Sequence, residues 1–365
     1  MAVPMTADTL DRLRLARTEG LGPQIFQRLL ARFGTARAAL EALPDFSKGK
    51  LVPPAASLAE REMAAVAKLG GRFLFLGLPS YPPLLETLYD PPPAIALLGD
   101  PAALAPRAVA IVGARSASTA GRRVADALAV DLAKAGLVIV SGMARGIDAA
   151  AHLGAMREGR TVAVVATGLD RPYPAEHAAL QARIAAEGGA VLAEAPLGTA
   201  PLAQHFPRRN RIVAALAMGI VVVEAAQRSG SLITARLGLE LGRELFAVPG
   251  NPLELRCRGS NDLIRQGAHI TESAEDVLPN LPEAPHAEPL FTPRPEHDAS
   301  PALALPPGEA GQVFELLGTA AIAVDEVVRR CHLSPSAVQA ILLDLELAGQ
   351  IEMLPGNRVA LTGQA

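Results

Sequence analysis

Seven short runs rich in apolar and β-branched residues recur between Gly71 and Pro249: Arg72 to Leu76, Ala108 to Val112, Leu137 to Val140, Thr161 to Ala166, Ala190 to Leu192, Ile220 to Val223 and Leu245 to Val248. Helical stretches separate most of them. A strand with one wet face alternates apolar and polar side chains, whereas a continuous apolar run has both faces covered, as in a parallel sheet sandwiched between helices. The pattern therefore predicts a doubly wound α/β domain with a mostly parallel, Rossmann-like sheet. Ligands of such sheets lie beyond the carboxyl ends of the strands, so function is to be sought in the loops there.

The flanks are built differently. Leu10 to Leu40 reads as helices broken at Gly20-Leu21-Gly22-Pro23, with Ile25, Phe26, Leu29 and Leu30 at helical spacing. This is a helix-hairpin-helix pattern, although a Gly-Pro turn between two packed helices has the same signature. Nine prolines between Pro279 and Pro307 predict a linker. Beyond it, helices over Val313 to Leu317, Val324 to Cys331 and Ser334 to Leu347, then a hairpin around Pro355-Gly356-Asn357, make a winged-helix pattern. The expected division is 1–68 helical (helix-hairpin-helix or SAM-like), 69–280 extended Rossmann-like, 281–308 Pro-rich acidic linker and 309–365 winged helix.

No basic segment followed by an apolar stretch opens the chain, and no apolar run is long enough to span a bilayer. A cytoplasmic protein with no membrane association is expected. Cys257 and Cys331 are the only cysteines and belong to no Cys-x-x-Cys pair, which argues against a disulfide framework or structural zinc. The net charge of −3 conceals an asymmetry: Met1 to Ile270 carries +7, Thr271 to Gly308 −6 and Glu309 to Ala365 −4. A basic body with an acidic tail is compatible with a polyanionic partner despite the sequence pI near 6.2.

The loops after the strands carry the candidate chemistry. Gly113-Ala114-Arg115 leads through Ser116, Ser118, Thr119 and Gly121 into a helix. Its glycines fit neither the dinucleotide fingerprint nor the Walker A loop, so no nucleotide cofactor is expected. Ser141-Gly142-Met143-Ala144-Arg145-Gly146-Ile147-Asp148 follows the next strand, and a helix start with open N–H groups beside Ser141 and Arg145 suits an anion. Asp148 reads as a cap, and His152 as a packing residue as readily as a contact. Gln204 to Arg211 gathers Phe206, Arg208, Arg209, Asn210 and Arg211, pairing phosphate-binding guanidinium groups with a ring on which a base can stack. Glu224 is followed by Ser229-Gly230-Ser231 and Thr234 at another helix start, and Pro249-Gly250-Asn251 ends the last strand. Four strand ends supplying glycines, hydroxyls and arginines to one sheet edge predict a site for several phosphates.

In this order the motifs Gly113-Ala114-Arg115, Ser141-Gly142 through Asp148, Gly168-Leu169-Asp170 with Tyr173-Pro174, Phe206-Pro207 with Arg209-Asn210-Arg211, Ser229-Gly230-Ser231 with Thr234, and Pro249-Gly250 closely resemble the DNA-processing protein A (DprA/Smf) family, over about Gly71 to Leu278. The resemblance implies single-stranded DNA as ligand, help in loading RecA recombinase during natural transformation, a homodimer formed through the α/β domain, and no catalysis. The DNA contacts it implies are Gly113, Arg115, Ser141, Gly142, Arg145, Gly146, Phe206, Arg209, Asn210, Arg211, Ser229, Gly230, Ser231 and Thr234. Ala114 stands where many members have Ser, Ala120 where an aromatic is frequent, and no Lys precedes Phe206.

Two other readings compete. A nucleoside-monophosphate hydrolase of the lysine-decarboxylase-like type shares a related fold, but its Pro-Gly-Gly-x-Gly-Thr loop is missing, and Glu194 and Glu224 form no matched acid and base pair. A transcription factor reading DNA through the winged helix meets the composition of Ser334 to Leu347, which has Asp344 and Glu346 but no Lys or Arg and should repel a phosphate backbone. A protein-interaction role suits that domain better.

Overall fold

The computed structural model describes residues 6–47, 49–104, 107–283, 312–314, 316–318, 320–331, 333–347, 350–354 and 356–362. The expected linker, from 284 on, lies outside the described residues, as does the side chain of Asp344. The described residues between 60 and 289 form one compact unit. Those between 5 and 59, together with those between 290 and 365, form a second.

In the second unit, helices α1 (Ala7–Ala16), α2 (Pro23–Phe33) and α3 (Ala36–Phe46) bury Leu13, Leu15, Phe26, Leu29 and Leu43. Helix α2 starts with Gly22 at its cap and Pro23 at its first position, where the missing N–H costs nothing. The following α4 (Ala56–Lys68) leads to the sheet.

That sheet has nine strands, β1 (Arg72–Phe75), β2 (Ala94–Gly99), β3 (Ala108–Val112), β4 (Val138–Ser141), β5 (Thr161–Val165), β6 (Ala190–Ala193), β7 (Gly219–Val222), β8 (Glu244–Ala247) and β9 (His269–Ile270), in the order β1-β2-β6-β5-β4-β3-β7-β8-β9. Pairing is parallel from β6 to β9, while β2 lies antiparallel to both β1 and β6. All seven expected strands are present with no end moved by more than one residue, and β2 and β9 are additions. Connecting helices are α5 (Pro83–Glu86), α6 (Thr119–Lys134), α7 (Ile147–Glu158), α8 (Ala178–Ala186), α9 (His205–Leu216), α10 (Gly230–Glu240), α11 (Arg258–Arg265) and α12 (Ala274–Val277). Val109, Ile111, Leu128, Leu132, Ile139, Val221 and Phe246 share one core between the sheet and α6. The order reverses at β3, with β4 on one side and β7 on the other, which creates the crevice where ligands of this architecture settle.

Within the second unit, β10 (Ile322–Ala323), α13 (Val324–Cys331), α14 (Pro335–Leu347), β11 (Ile351–Leu354) and β12 (Arg358–Leu361) build the expected winged helix around Val324, Val327, Val338, Ile341 and Val359. Gly356 and Asn357 both take positive φ in the wing turn, as a tight hairpin requires. Glu346 on α14 is ion-paired with Arg28 on α2, so this acid is committed inside the unit. Among the described residues no helix is long and apolar enough to cross a membrane.

Candidate nucleic-acid interface

Because β4, β3 and β7 are parallel neighbours, the loops leaving them emerge at one edge, where they meet the first turns of α9 and α10. They enclose an open cleft of about 660 Å³ lined by ten of the fourteen expected contacts: Gly113, Arg115, Gly142, Phe206, Arg209, Asn210, Ser229, Gly230, Ser231 and Thr234. Ser141, Arg145, Gly146 and Arg211 do not line it.

The exposed Arg115 lays its guanidinium over the Phe206 ring, 5.1 Å from the centroid. An exposed pair of this kind contributes about 0.5–1 kcal/mol, less than the ~1.5–3 kcal/mol of a hydrogen bond to a charged group. A phosphate can therefore draw Arg115 off the ring. Behind Phe206 stands Tyr173, edge-to-face at 5.6 Å and 60°. Helix α10 begins at Ser229 without a side-chain cap, and Ser229, Gly230 and Ser231 line the cleft, so its positive end is turned to it. The Ser229 and Ser231 hydroxyls are 2.7 Å apart, and Asn210 Nδ2 donates to the Gly230 carbonyl at 3.2 Å.

Arg209 forms the floor. Its side chain is buried, Nη1 donates to the Val164 carbonyl at 2.6 Å, and a Cβ on Gly142 would collide with the guanidinium. Burial pushes this guanidinium down to about 10, opposed by the charge of Asp148. Asp148, also buried, accepts from the Gly142 and Ala144 amides at 3.1 and 3.2 Å. Burial pushes its carboxyl up, while Arg209 and the two amides pull it back.

Several expectations are corrected by this arrangement. In the loop between Ser141 and the start of α7, the Gly142 and Ala144 amides are taken by Asp148, and the Ile147 amide at the helix start donates to the Ala114 carbonyl at 3.3 Å. Ser141 is fully buried and donates to the Ile111 carbonyl at 2.6 Å, so its hydroxyl serves the sheet. Arg145 is exposed but paired with both Glu176 oxygens at 2.7 and 2.9 Å, and that bond holds the Glu176 carboxyl below its usual range. Gly146 sits at φ 77, and the Ala114 and Arg115 carbonyls lie so close that any Cβ would collide with them. Its role is to let two loops touch. Arg211 points away from the cleft into an acidic nest, 2.7 Å from Glu194 and 3.2 Å from Asp90. Arg208 also pairs with Glu194, at 2.8 Å.

The fourth strand end leaves the group as well. Pro249, Gly250 and Asn251 line a separate cavity of about 310 Å³ with Gly121 and Glu224. There Glu224 accepts from the Ser118 amide at 2.9 Å and its hydroxyl at 2.6 Å, and Ser118 in turn caps α6 at the Gly121 amide. His152 is fully buried with Nδ1 2.6 Å from Thr161 Oγ1, and burial together with Arg209 pushes it down to about 3. It packs and does not reach the cleft. Sequence reasoning missed Tyr173 as a lining residue and Asp148 as the partner of Arg209, though the Tyr173-Pro174 pair was visible as a motif. Among the described residues no group of three His, Cys, Asp or Glu side chains could hold a metal ion.

Comparison with known proteins matches residues 72–282 to the family model for DNA recombination-mediator protein A, 296–357 to the DprA winged helix domain and 6–65 to the DprA-like N-terminal HHH domain. Protein Smf of Escherichia coli is 41% identical over 289 residues, 77% of this chain and 75% of that protein. DNA processing protein DprA of Bacillus subtilis is 40% identical over 225 residues, 61% of this chain and 75% of that one. The crystal structure of DprA from Streptococcus pneumoniae superposes with a TM-score of 0.66 at 33% identity, covering 77% of this chain and 99% of that one. A DprA structure from Helicobacter pylori, described for its single-stranded DNA binding mode, superposes at 0.51 with 32% identity, over 56% and 93% of the two chains.

Proposed function

This chain belongs to the DNA recombination-mediator protein A (DprA/Smf) family, and from that premise we propose that its cleft binds single-stranded DNA in a sequence-tolerant way during DNA processing. One observation carries the reading: an exposed Arg115, an aromatic platform and the uncapped start of α10 line a single open cleft. Guanidinium and helix N-terminus suit phosphates, and a ring suits the face of any base. Such contacts are blind to base identity. The Helicobacter pylori relative, whose structure is described for its single-stranded DNA binding mode, supports the assignment.

The remaining parts of the proposal follow the family. The bound strand is protected and passed to RecA recombinase in natural transformation and recombination, in the cytoplasm, by a homodimer formed through the α/β domain. The domain boundaries proposed are those expected from sequence, with the winged helix as a protein-interaction module. Binding proceeds without turnover: the carboxylate nearest the cleft, Asp148, is bound to two amides and set against Arg209, poorly placed to act as a general base.

Fluorescence anisotropy of a labelled oligo(dT) across a salt series tests the reading, with duplex as competitor. Affinity should favour the single strand and fall by about 0.7 log units per decade of salt for each neutralised phosphate, the slope becoming shallower by about one such unit in Arg115→Ala. AMP incubated with the same protein should stay intact. Absence of binding, or an Arg115→Ala slope equal to the parent's, would remove the assignment.

A further inference from the structure

Tyr173 was not among the residues expected to touch a ligand, yet it lines the cleft with 43% of its surface open. It makes an edge-to-face contact with Phe206, at 5.6 Å between centroids and 60° between planes. Two rings so arranged cannot sandwich one base between them, because a sandwich needs parallel faces far enough apart to admit a third ring. Their faces point in different directions. Each can take a different base of the same strand.

The segment that carries Tyr173 is fixed at its far end. A single 3₁₀ turn, Ala175–His177, follows it. From that turn Glu176 receives both Arg145 hydrogen bonds, and His177 Nδ1 lies 2.9 Å from the Met143 carbonyl. Met143 itself has φ 61, a conformation uncommon for a side chain of its kind. The β4–α7 loop thus grips the tyrosine segment at two points, one of them through Arg145, which is exposed and does not line the cleft.

We infer that Tyr173 is a second base-stacking residue, holding the nucleotide next to the one on Phe206, and that the Arg145–Glu176 pair is a latch that positions it. The inference rests on the single-stranded DNA reading above. It differs from a purely structural role for Tyr173 in requiring direct contact with one particular base.

The test uses the full-length protein and oligo(dT) carrying one 2-aminopurine, moved position by position along the strand, since this fluorophore is quenched when it stacks. In the parent, two adjacent positions should be quenched. Tyr173→Ala should restore fluorescence at one of them and Phe206→Ala at the other, and Tyr173→Ala should weaken binding about 5- to 150-fold, the range for one stacked base. Tyr173→Phe should retain both quenching and affinity. The salt slope of Tyr173→Ala should equal the parent's, because no phosphate contact is lost. Glu176→Gln should reduce quenching only at the Tyr173 position. Quenching at a single position, or identical profiles for Tyr173→Ala and the parent, overturns the inference while leaving DNA binding intact. Failure of the parent to bind oligo(dT) overturns both.

Discussion

Arg209 and Arg115 look interchangeable as phosphate ligands in the sequence, and the structure separates them by depth. Replacing Arg209 with Ala removes the donor to the Val164 carbonyl and the positive charge facing the buried Asp148 carboxylate. Losing a hydrogen bond made by a charged donor costs about 1.5–3 kcal/mol. In a unit of some 150–250 residues each kcal/mol moves Tm by ~2–4 °C, so Arg209→Ala should melt roughly 3–12 °C below the parent. Arg115→Ala, with an exposed side chain, should melt within about 2 °C of it, since surface changes stay within ~0.5 kcal/mol. Adding Asp148→Asn to Arg209→Ala should restore part of the loss, with a coupling of about 0.5–3 kcal/mol in a double-mutant cycle read by urea unfolding. An Arg209→Ala protein that melts with the parent and is impaired only in DNA binding would refute the floor role, as would strict additivity with Asp148→Asn.

Two more outcomes follow from the same geometry. Arg211→Ala, which breaks pairs with Glu194 and Asp90 away from the cleft, should lower the urea midpoint while leaving the salt slope of DNA binding unchanged; a shallower slope would return Arg211 to the cleft. His152 is held at about 3 against an ordinary 6.5, so the unfolded chain takes up its proton first. The stability this gives is fully present above pH 6.5 and drains away as pH falls, by about 2 kcal/mol at pH 5, and His152→Leu should flatten that part of the profile in urea titrations.

Much of the fold was legible because seven strands are continuous apolar runs, a pattern a parallel buried sheet imposes. Strand β2 escaped because Ala94–Gly99 contains one β-branched residue and follows three prolines, and two-residue β9 is too short to carry a pattern. The site was legible as a set of loops but not as directions. Arg208, Arg209 and Arg211 are nearly contiguous in sequence, yet consecutive helical residues turn by about 100°. Arg208 and Arg211, three apart, share a face and meet at Glu194, while Arg209 is turned inward beneath the cleft. No count of charges in a loop contains that rotation. Likewise the four strand ends agreed in composition, but the loop after β8 opens into a different cavity because β8 lies one strand further out.

The second unit takes its helices from both ends of the chain, and the Arg28–Glu346 pair joins positions 318 residues apart. A ribosome adding about 5–20 residues per second needs roughly 15–60 s to cover that interval. Helices α1 to α3 therefore leave the exit tunnel long before α14 exists, and the sheet between them can close first. The first residues made belong to the last part completed, so a nascent chain stalled within the proline-rich stretch would carry a finished cleft and an N-terminal helical surface still waiting for its partner.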